Sequence, residues 1–255
     1  MKKLVQDTIL AAYRLVLATG ILRTAVGQGL YVACYNFYKD RFEATDIGGL
    51  ARHVRPGSTV IDVGANIGFF TTRLARWAMP GGRVLAIEPD ELNLAMLGRT
   101  VARAGLTAAV DIIPGVAAEM VGTLHLRLNP YHPADHRIGN SGVPVPAHTL
   151  DGLLAERGWP AVSLIKIDVQ GAEIRVLRGA REALTRFRPA FYVEIDDGAL
   201  SRAGFSAAEL IAEFDGFGYR LFELRPDGGV EALTVAEAAR RRATLGYADY
   251  LFLAA

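Results

Sequence analysis

The chain has 255 residues, 51% hydrophobic and 22% charged, a globular composition at a length that one large α/β domain can occupy. A formal net charge of +1 excludes the general basic field that nucleic-acid binding would use. The single cysteine, Cys34, excludes an intrachain disulfide and fits a reducing, cytoplasmic setting.

Residues 1–45 read as a helical cap on the rest of the chain. Leu4, Ile9, Ala12, Tyr13, Val16 and Leu17 recur at helical spacing, and Leu30, Ala33, Cys34 and Phe37 do so again after a break at Gly27-Gln28-Gly29. Cys34 is expected to be a small buried side chain, and these helices are the candidate contact of a homodimer. Asp7 and Arg14 interrupt the apolar run that a secretory leader would need. The uncharged stretch 25–38 is too short for a transmembrane segment, which takes about 20 apolar residues.

From residue 46 onward strands and helices alternate, the signature of a Rossmann-like α/β fold: a mostly parallel sheet with helices on both faces. Short apolar runs predict strands over Thr59–Val63, Arg83–Glu88, Val110–Pro114, Ser163–Asp168 and Ala190–Ile195, with two more near Tyr219–Leu224 and Tyr247–Leu253. Asp90 reads as the cap of a helix over Glu91–Ala104 that stops at Gly105, and a helix over Thr72–Ala78 stops before Gly81-Gly82. Gly122–Leu128 and Val143–Thr149 alternate like paired strands, and between them lies an inserted loop, residues 129–142, rich in His, Pro, Asn and Gly.

The first strand runs into Gly64-Ala65-Asn66-Ile67-Gly68, a bend whose small residues let a ligand approach the backbone at a helix N-terminus. The second strand ends in Glu88-Pro89, about twenty residues beyond that bend, where a carboxylate accepts hydrogen bonds from ribose hydroxyls. An adenosine-bearing cofactor follows. Asp62 brings negative charge to the mouth, and Asn66 stands where a pyrophosphate fingerprint has a glycine; both favour S-adenosylmethionine over NAD. No Gly-Lys-Ser/Thr follows, which excludes a P-loop. The candidate cofactor-binding residues are therefore Asp62, Gly64, Ala65, Asn66, Gly68, Glu88 and Pro89.

Five blocks occur in order: Val60–Gly68, Ala86–Pro89, Thr149–Leu154, Ile165–Glu173 and Val176–Ala180. Together they resemble the FkbM-type family of S-adenosylmethionine-dependent methyltransferases, from about Leu50 to the C-terminus. The resemblance implies that residues 46–255 form a seven-stranded methyltransferase sheet with its last strand antiparallel. It also implies methyl transfer to oxygen, typically a hydroxyl of a sugar or a natural product. Gln170 departs from the family, which more often has Glu there.

Ligands of open α/β sheets sit beyond the carboxyl ends of the strands, so Asp168 and Glu194 are expected to face the cleft. Asp168 is a candidate general base, and it can equally cap the helix that carries Glu173. His136 is the alternative base. His132, Asp135, Arg137 and Glu194 are candidates for holding the acceptor. Asp168, Glu194 and Asp197, with Asp196, could form an oxygen-rich cluster for a divalent metal, although none is required. Asn129-Pro130-Tyr131 mimics part of an Asn-Pro-Pro-Tyr motif but stands at the wrong place in the fold. N- or carboxyl-methylation, a cofactor-binding protein without turnover, and an oxidoreductase are the competing functions.

Overall fold

The computed structural model describes residues 24–39, 41, 47–129, 136–225, 227–244 and 246–255. Chain order begins with helix α1 (Ala25–Tyr38) and a 3-10 turn (Ile47–His53), followed by β1 (Thr59–Val63), α2 (Phe69–Ala78), β2 (Arg83–Glu88), α3 (Glu91–Arg103) and β3 (Val110–Pro114). Next come β4 (Val116–Ala117), β5 (Gly122–Arg127), β6 (Arg137–Gly139), β7 (Val143–His148), α4 (Leu150–Ala155) and β8 (Val162–Ile167). The rest is α5 (Glu173–Arg178), α6 (Arg181–Phe187), β9 (Ala190–Asp196), α7 (Asp197–Arg202), α8 (Ala207–Gly216), β10 (Tyr219–Leu224), β11 (Val230–Ala232), α9 (Val235–Arg242) and β12 (Tyr247–Ala254).

The main sheet has the order β11-β10-β12-β9-β8-β1-β2-β3. Its β3, β2, β1, β8 and β9 are parallel, and β12 lies antiparallel between β9 and β10. The Rossmann-like reading therefore holds, with one correction: the sheet has eight strands, not seven. β11 adds an antiparallel edge to β10 through a short turn. Every residue of β1 and β8 is buried, as strands covered on both faces require, so apolar runs replaced alternation in the sequence. Order reverses at β1, whose neighbours are β2 on one side and β8 on the other. The space beyond the carboxyl ends of β1 and β8 at such a switch point is where open α/β sheets bind ligands.

A second sheet, β4-β7-β5-β6, closes over a small core of Val116, Ala118, Leu126, Val145 and Ala147. The pairing of β5 with β7 is the one the sequence alternation predicts. The insert is not all loop, because Arg137–Gly139 pairs with β5 as β6.

Two expectations for α1 fail. Gly27-Gln28-Gly29 does not break the helix: Thr24 caps it by accepting from the Gly27 N–H at 3.1 Å, and the glycines lie in its first turns. Small residues let α1 press against α3, where Gln28 accepts from Arg99 and a Cβ on Gly29 would come within 3.1 Å of Arg103 Nη1. Cys34 is exposed rather than buried. Among the described residues no helix is long and apolar enough to cross a membrane.

Candidate cofactor and acceptor site

β1 ends in a bend in which Gly64, Asn66 and Gly68 take φ values of 77°, 50° and 93°. The N–H groups of Gly64 and Ala65 both donate to the Ile87 carbonyl at 3.0 Å, and that of Gly68 to the Ala65 carbonyl. The Asn66 N–H donates to Glu88 Oε2 at 2.8 Å. These four N–H groups are thus spent within the protein, contrary to the expectation that they await a ligand. What the bend offers instead is close approach, together with the buried Asn66 Oδ1, which has no hydrogen-bond partner among the described residues.

Glu88, at the tip of β2, is 4% exposed. Its Oε1 accepts from the Asp90 N–H at 2.9 Å and from Asn93 Nδ2 at 3.2 Å. Burial raises its carboxyl to about pKa 7, against the pull of these donors. A carboxyl raised in the folded state gives stability that is full below its unfolded value and fades as pH rises through 7. The difference between about 7 and 4.5 is worth about 3 kcal/mol. In the absence of cofactor, Glu88→Gln should therefore gain on wild type by that order between pH 5 and pH 8 in urea denaturation. A stability difference flat across this range would mean that Glu88 does not carry the burial cost.

Asp62 lies beneath the bend rather than at its mouth. It is fully buried, with Oδ2 accepting from Thr71 Oγ1 at 2.6 Å and Oδ1 without a hydrogen-bond partner among the described residues. Burial raises its pKa, opposed by Lys166. Lys166 Nζ stands 3.6 Å from Asp62 Oδ1 and 3.3 Å from Asp168 Oδ2, and donates to the Gly64 carbonyl at 3.1 Å. Lys166 thus joins the carboxyl beneath the bend to the one at the tip of β8, and Asp62 presents no uncompensated negative charge at the mouth. Pro89 follows Glu88, half-buried, and ends the strand.

On the other side of β1, Asp168 follows the end of β8 with its side chain 27% exposed. Burial pushes its carboxyl up, but the ammonium groups of Lys166 and Lys39 and a hydrogen bond with Glu194 together hold it below the usual range. Gln170 Nε2 donates to Glu194 Oε2 at 2.8 Å, which places a neutral amide beside this pair of carboxyls. Asp168 does not cap α5, which begins without a side-chain cap. Glu173 fills its first turn instead, accepting from the Gly171 N–H at 3.0 Å; burial raises it to about pKa 7.

The oxygen-rich cluster does not assemble. Asp196 caps α7 by accepting from the Ala199 N–H at 2.7 Å, and Asp197 pairs with Arg242 at 3.1 Å. Asp197 is therefore drawn away from Asp168 and Glu194, and among the described residues no group of three His, Cys, Asp or Glu side chains is placed to hold a metal.

His136 lies beyond β2, not beside Asp168. Its Nδ1 accepts from the Asn129 N–H at 3.0 Å, and its Nε2 is 3.7 Å from Asp90 Oδ2. Two strand spacings, about 10 Å, separate the tips of β8 and β2, so the two candidate bases stand on opposite sides of the tip of β1. Arg137 opens β6 opposite Arg127. His132 and Asp135 lie outside the described residues. The sequence reading passed over Lys166, although a lysine inside an otherwise apolar strand, Leu164-Ile165-Lys166-Ile167, signals a charge that must find partners.

The profile of the Methyltransferase FkbM domain matches residues 62–221, which include both the bend and the acids of β8 and β9. The chain is 30% identical over 162 residues to "31-O-demethyl-FK506 methyltransferase FkbM" of Streptomyces tacrolimicus, covering 51% of this chain and 62% of that protein. It is 28% identical over 163 residues to "2-O-methyltransferase NoeI" of Sinorhizobium fredii, covering 57% and 66%. It therefore spans less than two thirds of the length of these curated relatives. A methyltransferase FkbM structure from Methylobacillus flagellatus aligns at TM-score 0.49 and 19% identity, over 78% of this chain and 48% of the other. The bend, the strand-tip acids and the profile agree: the chain belongs to the FkbM-domain methyltransferase family.

Proposed function

We propose that the chain is an S-adenosylmethionine-dependent methyltransferase acting on a hydroxyl oxygen of a small molecule, a sugar or a natural product. The reading takes residues 46–255 as the methyltransferase unit, 1–45 as its cap and 129–142 as the acceptor loop. One observation carries it: the Asn66 N–H bonds to Glu88, so the bend and the strand-tip acid form a single wall at the switch point of the sheet. The Asn66 Oδ1 in that wall, without a hydrogen-bond partner among the described residues, suits a ligand with an N–H group. Both relatives cited above are named for transfer to oxygen, which supports the oxygen reading.

When bound, S-adenosylmethionine supplies an electrophilic methyl group on a sulfonium. Glu88 is the residue to hold its ribose, and the Gly64–Gly68 bend the residues to pass its amino-acid tail. Asp168, ionised and partly exposed across β1, accepts the hydroxyl hydrogen of the acceptor and draws its oxygen into line. A carboxylate held below its usual pKa is a weak base, so its contribution lies at the low end of general-base effects, and alignment supplies most of the rate.

Asp168→Asn should lower turnover by about 10²-fold while leaving affinity for S-adenosylmethionine within about threefold of wild type. Formation of S-adenosylhomocysteine over a panel of hydroxylated, amino and carboxylic acceptors checks this. Turnover only with amines or acids would replace the oxygen reading. Wild-type protein that binds no S-adenosylmethionine in calorimetry would overturn the function.

A further inference from the structure

Lys166 is 3% exposed on a strand whose every residue is buried. A lysine there persists as a cation only if its surroundings compensate for the lost water. They do so with one hydrogen bond, to Gly64 O at 3.1 Å, and two ion pairs, with Asp168 Oδ2 at 3.3 Å and Asp62 Oδ1 at 3.6 Å. The Phe70 ring closes the remaining side, 4.8 Å from Nζ to its centroid. Gly64 and Asp62 belong to β1 and its bend, the cofactor side. Asp168 belongs to β8, the acceptor side.

We propose that Lys166 is a positioning residue that ties the cofactor bend to the acceptor acid, fixing the Gly64 carbonyl and the Asp168 carboxylate against one ammonium. This rests on the proposed function for what is positioned, but not for the linkage itself. The titratable groups facing Asp168 are Lys166 from its own strand, Lys39 from the end of α1 and Glu194 from β9, with the carboxyls of Asp62 on β1 and Glu173 on α5, both raised by burial. Of the two cations, Lys166 acts on Asp168 more strongly than Lys39 does. Without Lys166, Asp168 keeps its burial and its acidic neighbours and loses its main counter-charge. Its proton affinity must then rise, and the bend loses the bond that pins Gly64.

The test uses the full chain without cofactor. The Asp168 side-chain carboxyl is titrated by carbon NMR in wild type, Lys166→Met and Lys166→Arg, and S-adenosylmethionine affinity is measured by calorimetry on the same samples. Lys166→Met should raise the Asp168 midpoint by at least about one pH unit, a tenfold or greater change in proton affinity. It should also weaken S-adenosylmethionine binding by about tenfold, which a role confined to Asp168 would not do. Lys166→Arg, which keeps the charge, should return most of the midpoint shift. If Lys166→Met does not fold, the double variant Lys166→Met with Asp62→Asn removes the stranded carboxylate and should show the same Asp168 shift. A folded variant with either an unmoved Asp168 midpoint or an unmoved affinity would overturn the proposal. Wild type that titrates as described but binds no S-adenosylmethionine would instead overturn the functional reading and leave the Asp168 linkage standing.

Discussion

Glu88→Ala should weaken binding of S-adenosylmethionine by about 10²–10⁴-fold, because two hydrogen bonds to an ionised acceptor are each worth about 1.5–3 kcal/mol. The carboxylate has about four acceptor positions. Three are taken by Asn66 N, Asp90 N and Asn93 Nδ2, so one ribose hydroxyl can bind directly. The second needs Asn93 to give way, and at 3.2 Å its bond is the longest of the three. Protonation adds a second signature. With the unliganded carboxyl near pKa 7, wild-type affinity should fall about tenfold per unit as pH drops below 7, and Glu88→Ala should lack that slope. Calorimetric titration at several pH values reads both. Equal affinities for the two proteins would remove Glu88 from the cofactor site.

The largest stability loss is expected from Gly64→Ala. At φ 77° an L side chain costs about 1–2 kcal/mol, and a Cβ there would overlap the Asp168 carbonyl oxygen and lie 3.0 Å from its carbon. The clash is with backbone, which cannot rotate away, so about 1–3 kcal/mol of overpacking adds to the dihedral strain. A loss of about 3 kcal/mol or more in denaturant unfolding follows. Gly105→Ala is the control: its φ is 70°, but nothing lies within 4 Å of the added Cβ, so only the dihedral cost should appear. Losses of equal size at the two positions would show that the bend does not pack flush against the tip of β8.

The central strands were legible because covering a strand on both faces demands a nearly unbroken apolar run, and the outer ones because their runs are apolar at most positions. β1, β2, β3 and β10 fall where those runs fall, while β8 and β9 shift by a single residue at one end or both. β11 was not legible: three residues with Glu231 at the centre form an edge hairpin too short for a pattern. Gly27-Gln28-Gly29 misled because glycine weakens an isolated helix, yet here it permits close contact with α3, a tertiary gain that local propensity does not contain. In the site, the bend and Glu88 were readable from spacing, and the two do meet through Asn66. The metal cluster was suggested by adjacency in sequence and fails because Arg242, 45 residues from Asp197, takes that carboxylate. His136 was read as a base for its chemistry, and only the fold reveals that it faces Asp90. Lys166 carried a signal that spacing rules do not weigh, a charge in the middle of a buried strand.

A crystal structure with S-adenosylhomocysteine would show directly whether adenosine spans the tips of β1 and β2. The ribose hydroxyls should lie on Glu88, the amino-acid tail beside the Gly64–Gly68 bend, and the sulfur open toward Asp168. Adenosine bound elsewhere, or the space beyond those strand tips filled by the protein's own side chains, would contradict this placement.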